Sequence, residues 1–212
     1  SKLSNTSKNY LINQLNEQIY LTSSKLKRAS HIIITFGTAW VYRDIKTDSI
    51  VANCHKVPQK LFKKELLSVQ EITNSLKNTL SLIRSVNNDV LVVFTVSPIR
   101  HTKDGFVQNT QSKAHLITAI HQVINNQSFY FPSFEIMMDE LRDYRFYNED
   151  MIHPNQVAIN YIWDKFKTVW ISDESFKVME EVDTIQKGLK HKPFNLKSQA
   201  HQKFLQNLEA KK

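Results

Sequence analysis

Hydrophobic and polar positions follow two rhythms along this chain. Three short runs are almost wholly apolar and rich in β-branched or aromatic residues: His31–Phe36, Val90–Val96 and Phe129–Phe131. Runs of that length and composition predict buried strands. Between and around them apolar residues recur at helical spacing. Leu11, Leu15 and Ile19 mark a helix over Leu11–Lys27. Ile72, Leu76, Leu80 and Ile83 mark one over residues 69–86, opened by Ser68 and Glu71 in a capping-box pattern. A third covers Gln111–Asn125, with Leu116, Ile117, Ile120 and Ile124 inward. Asn155 caps a fourth, whose apolar face holds Ala158, Ile159, Ile162, Phe166 and Trp170.

Apolar strand, capped helix and apolar strand in succession is the βαβ pattern, and it predicts an α/β domain on a parallel sheet covered on both faces. Only three strands are legible where such sheets commonly hold about five. Either two strands are hard to read or a piece of the sheet is missing. From Ser172 the composition turns polar, with a weak helix over Ser198–Lys211. The expected division is an α/β domain over residues 1–171 and a helical C-terminal extension over 172–212.

Composition narrows the function classes. Apolar residues make up 41 % of the chain, enough for a real core. No run of eighteen apolar residues exists, so no integral membrane segment is expected, and the first ten residues lack the apolar core of a signal peptide. The net charge of +8 is spread out, without the basic and aromatic interleaving of a nucleic-acid groove, so no nucleic-acid partner is expected. The single cysteine, Cys54, excludes an internal disulfide and fits a reducing, cytoplasmic interior, though it does not fix the compartment. Its neighbour His55 makes a thiolate–imidazole pair conceivable, but adjacent side chains in extended chain diverge. No histidine spacing recommends a metal site, and no cofactor is expected.

Ligands of open parallel sheets collect at the C-terminal ends of the strands. Polar clusters fall there: Gly37-Thr38 with Trp40, Ser97 to His101, Arg142 to Arg145, and Asp150 to Pro154. Asp150 and His153 stand three apart before a helix, a spacing that lets the carboxylate fix the imidazole tautomer and leave Nε2 as a base. The alternative is a surface histidine beside a helix-starting aspartate. Ser97 is either a nucleophile or a turn residue before Pro98.

Several longer motifs then carry a resemblance: ITFGTAWVY at Ile34–Tyr42, VANCHK at Val51–Lys56, FTVSPIRHTKDG at Phe94–Gly105, MDELRDYRFYNEDMIHPN at Met138–Asn155 and KPFNLKSQAHQKF at Lys192–Phe204. In this order they resemble the GSCFA-domain family, of the SGNH/GDSL hydrolase-like superfamily and typical of Bacteroidetes. The resemblance implies a three-layer α/β/α flavodoxin-like fold with five parallel strands. It implies Asp150 as acid and His153 as base in a D-x-x-H motif, with a nucleophilic serine just after the first strand. The family's Gly-Ser-Cys-Phe-Ala motif, source of that serine, is not in this sequence. The expectation is therefore a chain lacking the N-terminal strands, inactive alone, whose exposed sheet edge the missing segment or a partner chain covers.

The superfamily's Gly-x-Asn motif is represented by Gly37-Thr38-Ala39, without the asparagine that completes an oxyanion hole; Asn53 is the candidate substitute. Trp40 and Tyr42 are expected to wall a sugar or acyl group, and Arg100 and Arg145 to hold a carboxylate or phosphate. The function implied is hydrolysis of an O-acyl ester, on a glycan, cell-envelope component or other small molecule, with the serine outside this chain. The rival is a non-catalytic binding or structural protein on an esterase-like scaffold.

Overall fold

The computed structural model describes residues 3–52, 54, 56–191, 195 and 198–210. It divides into two compact units, residues 1–159 and 160–212.

The first unit opens with helix α1 (Lys8–Arg28), capped by the Ser7 side chain. Asn87 holds its far end, donating through Nδ2 to the carbonyls of Leu26 and Ala29. Strand β1 (His31–Phe36) follows, then β2 (Trp40–Asp44), β3 (Ile50–Val51) and β4 (Phe62–Leu66). Helix α2 (Val69–Val86) begins at the capping box of Ser68 and Glu71. Strand β5 (Leu91–Val96), helix α3 (Phe106–His121) and strand β6 (Ser128–Phe131) complete the βαβ alternation. A short α-helical turn, α4 (Ser133–Glu135), widens directly into a π-helical turn, Ile136–Glu140.

Two sheets result. The parallel one has the order β1-β5-β6 and the antiparallel one β3-β2-β4. Central strand β5 is the spine of the core. Val92, Phe94 and Val96 are fully buried against Ile72, Leu76 and Leu80 of α2 and Leu116, Ala119 and Ile120 of α3. The two-residue period of a strand sends Val93 and Thr95 to the opposite face. There Thr95 Oγ1 meets Ser133 Oγ at 2.7 Å, and Ser133 donates to the Val96 carbonyl, also at 2.7 Å, tying α4 to the strand.

This architecture corrects the expected flavodoxin-like fold. Among the described residues no single five-stranded parallel sheet is formed; there is a three-stranded parallel sheet and a separate antiparallel one. The strands that periodicity did not show are β2 and β4, which carry Arg43, Asp44, Lys63, Lys64 and Glu65 and so lack an apolar run, while Ile50–Val51 forms the short strand β3. The expectation of an absent N-terminal region, with a missing segment or partner chain in its place over the sheet edge, is corrected too. Helix α1 stands ahead of β1 in the same chain. Strand β1 is not covered on both faces either: Ile34 and Phe36 pack on the core, while Ile33 is 54 % exposed.

Helix α5 (Gln156–Trp170) crosses from the first unit into the second. The second unit continues through α6 (Phe176–Lys190) to α7 (Gln199–Glu209), which the Ser198 hydroxyl caps. Among the described residues no helix is long and apolar enough to cross a membrane.

Candidate active site

The segment before α5 is a closed loop. Tyr147 and Pro154 form an antiparallel bridge at its base, and Asn148 N–H donates to the His153 carbonyl at 2.8 Å. Asn155 closes it, its Oδ1 accepting from Val157 and Ala158 at the start of α5 while its Nδ2 donates to the Arg145 carbonyl at 2.6 Å. Inside this loop Asp150 accepts three hydrogen bonds. Its Oδ1 takes the backbone N–H groups of Ile152 (2.8 Å) and His153 (2.9 Å), and Oδ2 lies 2.6 Å from His153 Nδ1. The intervening Met151 adopts φ 57°, which folds the loop tightly enough for that reach.

Those contacts hold the Asp150 carboxyl at a pKa of about 2, the backbone donors of His153 and Ile152 contributing most and the imidazole next. An ionised carboxylate only accepts, so in the neutral form of the imidazole Nδ1 carries the proton and Nε2 the lone pair. Arg100, past the end of β5, fixes the loop against the sheet: its N–H donates to the Ile152 carbonyl at 3.2 Å and its Nη1 to that of Met151 at 3.0 Å.

His153 faces a cavity of about 420 Å³ shared with Thr38, Trp40, Tyr42, Arg100 and His101. The antiparallel sheet supplies one wall through Trp40 and Tyr42 of β2. Lys64 of β4 lies over both rings, 5.6 and 5.7 Å from their centroids, and is ion-paired with Asp104. Trp40 is oriented by its Nε1 donating to the Gln108 carbonyl at 3.3 Å. His101 stands at the inner side. Burial lowers its pKa most, followed by the charge of Lys113, with Asp104 opposing and His153 adding a smaller lowering.

Two α3 side chains brace the floor. Lys113, 1 % exposed, donates to the Gly37 carbonyl at 2.6 Å and the Ser97 carbonyl at 2.7 Å, joining the ends of β1 and β5. Burial lowers its pKa to about 8. Ser112 Oγ accepts from Ala39 N–H at 2.7 Å and lies 3.0 Å from Thr38 Oγ1. A trans peptide points its C=O and N–H in opposite directions. With the Gly37 carbonyl held by Lys113, the Thr38 N–H is directed away from that lysine, and among the described residues nothing accepts from it. Neither Lys113 nor Ser112 was singled out from sequence. A signal existed, since Lys113 shares the inward helical face with Leu116 and Ile120.

Of the residues the sequence nominated, Asp150 and His153 meet, and Thr38, Trp40 and Arg100 line the same cavity. Gly37 lies beneath it, where an added Cβ would sit 3.2 Å from His101 Nε2. Arg145 is elsewhere: exposed, it pairs with Asp143 at 3.1 Å and is not in the cavity wall. Asn53 and His55 lie outside the described residues. Ser97 Oγ accepts from Ile99 N–H at 3.3 Å. Among the described residues no serine, threonine or cysteine is hydrogen-bonded to His153, and no cluster of three or more His, Cys, Asp or Glu is arranged to hold a metal.

The sequence model of the GSCFA family matches residues 1–166, and that of the GSCFA domain protein C-terminal domain matches residues 182–211. No curated protein and no solved structure matches the chain. The first match runs from residue 1, taking in α1 and both sheets. That family architecture corrects the reading of the chain as a truncated esterase fragment. With a family match over residues 1–166 of 212, the chain belongs to the GSCFA family.

Proposed function

We propose that this protein is an acyl hydrolase that cleaves an O-acyl ester of a glycan or similar small molecule, with His153 as general base and Asp150 as the group that orients it. The observation that carries this reading is the 2.6 Å contact between Asp150 Oδ2 and His153 Nδ1, which leaves Nε2 basic and facing a cavity. In the proposed step Nε2 takes the proton of an attacking hydroxyl, a serine's or a water's, as its oxygen adds to the ester carbonyl. The tetrahedral oxyanion is received by the Thr38 N–H, in place of the asparagine missing from Gly37-Thr38-Ala39. Collapse breaks the bond to the alkoxide, which leaves with the proton from His153; where a serine attacked, water activated by the same Nε2 then cleaves the acyl-serine and releases the acid.

Turnover of acetylated sugars and of 4-nitrophenyl acetate tests the reading. His153→Ala is expected to lower kcat by about 10²–10⁴-fold. A phosphonate that labels the protein in a His153-dependent way identifies a serine nucleophile, while His153-dependent turnover without labelling identifies water. Turnover that is absent, or undiminished in His153→Ala, overturns the proposal. One observation favours a second reading, a non-catalytic binding protein: no hydroxyl group is hydrogen-bonded to His153 among the described residues. That reading predicts sugar-ester binding without turnover.

A further inference from the structure

Arg100 belongs to two cavities. It lines the one that holds His153, and it lines a neighbouring cleft of about 260 Å³ together with Met137, Met138, Arg142, Asp143, Tyr144 and Tyr147. The Arg100 guanidinium is packed among aromatic rings, with centroids of Phe106, Tyr144 and Tyr147 at 5.5, 5.9 and 5.6 Å. Stacking of this kind holds a guanidinium in place while its in-plane N–H groups remain available. Among the described residues only Nη1 has an acceptor, the Met151 carbonyl. Arg142 is exposed on the cleft and, among the described residues, has no carboxylate partner. The single acid in the lining, Asp143, is neutralised by Arg145, through Arg145 Nη2 at 3.1 Å and Arg145 N–H at 2.8 Å. The cleft therefore presents two cationic forks against no free acid. The floor that brings Met137 and Met138 to it is the π-helical turn Ile136–Glu140, a departure from α-geometry that recurs at functional sites.

We propose that this cleft is an anion subsite, in which Arg100 and Arg142 bind a carboxylate or phosphate carried by the ligand whose neutral, ester-bearing part occupies the adjoining His153 cavity. The assignment of the ester to the larger cavity rests on the acyl-hydrolase reading; the anion site itself does not. Two guanidinium groups bind an oxyanion through paired N–H donors, a geometry that a lone lysine lacks. The tyrosines add hydroxyl donors, and burial, with Tyr144 beside it and Arg100 opposing, raises the Tyr147 pKa and keeps that group protonated. Arg145, the arginine that sequence reasoning nominated for this task, acts indirectly by occupying Asp143.

Binding is read without turnover, by isothermal titration of the whole chain with glucuronate, inorganic phosphate and glucose at low salt. Glucuronate or phosphate is expected to bind and glucose not, and the stronger of the two anions identifies the group recognised. Arg142→Ala, a change at an exposed side chain, is expected to weaken binding about ten-fold or more, because a charge-assisted pair is lost. Arg145→Ala is expected to weaken it less, by releasing Asp143 to compete. Anion binding by a protein without esterase turnover separates failure of the enzymatic reading from failure of this one. Equal behaviour of glucose and both anions, or affinity indifferent to Arg142→Ala, overturns the subsite.

Discussion

Asp150 has two jobs that one substitution pulls apart. Its Oδ1 folds the loop by accepting two backbone N–H groups, and its Oδ2 sets the His153 tautomer. Asparagine in its place keeps an oxygen for the backbone donors but offers an amide N–H₂ to Nδ1, which forces the proton onto Nε2. Asp150→Asn is therefore expected to fold normally while losing about 10²–10⁴-fold in kcat, as a triad with the wrong tautomer does. Nitrogen NMR of the imidazole should show the tautomer switch directly. A variant with full kcat and the switched tautomer would remove Nε2 as the base. The pH dependence follows from the carboxyl being lowered from the ordinary 3.8 to about 2. A depressed folded pKa contributes stability that is present above the unfolded value and lost as pH falls through the folded one. The loop should hold at mildly acidic pH and loosen only near pH 2. This pair was legible in sequence because both members lie within four residues of one another, so the local turn alone creates the contact. The Arg145 assignment failed to reach the cavity because the direction of a loop side chain depends on a neighbour, Asp143, rather than on the residue's own chemistry.

Helix α3 turns an ordinary amphipathic element into a clamp. Its inward face buries Leu116, Ala119 and Ile120 and, one turn earlier, the Lys113 ammonium between two strand-end carbonyls. Its pKa falls from the ordinary 10.5 to about 8 because the charged form is desolvated. The unfolded chain thus binds more protons between those values, and stability should rise with pH from about 8 to 10.5 through this group. Lys113→Met removes the titrating amine, so the difference in unfolding free energy between wild type and variant should change across that interval in favour of wild type. Denaturant melts at pH 7.5, 9 and 10.5 measure it, and a difference independent of pH would show that Lys113 is not held in a desolvated state. At this scale the helices and parallel strands were readable where a single period ran unbroken, as in α2 with its capping box. The antiparallel sheet was not. Its two longer strands are short and interrupted by charge: Arg43 of β2 reaches Glu65 of β4 at 2.7 Å, and Lys63 pairs with Glu65 along β4 at 3.2 Å. A cross-strand ion pair such as Arg43–Glu65 stabilises a ladder only once it has formed, so nothing in the linear pattern announces it.

At the scale of the whole molecule, the chain separates into two contact units, and the second has its own packing logic. Gly188, near the end of α6, sits where an added Cβ would lie 2.6 Å from Leu208 Cδ1 of α7, and Leu208 is only 6 % exposed. Phe204 of α7 packs its ring at 5.6 Å from His191 and 6.2 Å from His201, so α7 is held against the end of α6 by a few close contacts. Two effects compete in Gly188→Ala. Helix propensity favours alanine by about 0.5–1 kcal/mol, while overpacking a closed contact costs about 1–3 kcal/mol. The steric term wins, and Gly188→Val, which gains less propensity and adds more volume, should be worse. Hydrogen exchange should report faster amide exchange in α6 and α7 of these variants, with protection in β5 retained because its partners β1, β6, α2 and α3 all belong to the first unit. Loss of protection in β5 together with α7 would mean that the two units unfold as one. Unchanged exchange in α7 would mean that Leu208 yields without cost and that Gly188 is not required by packing.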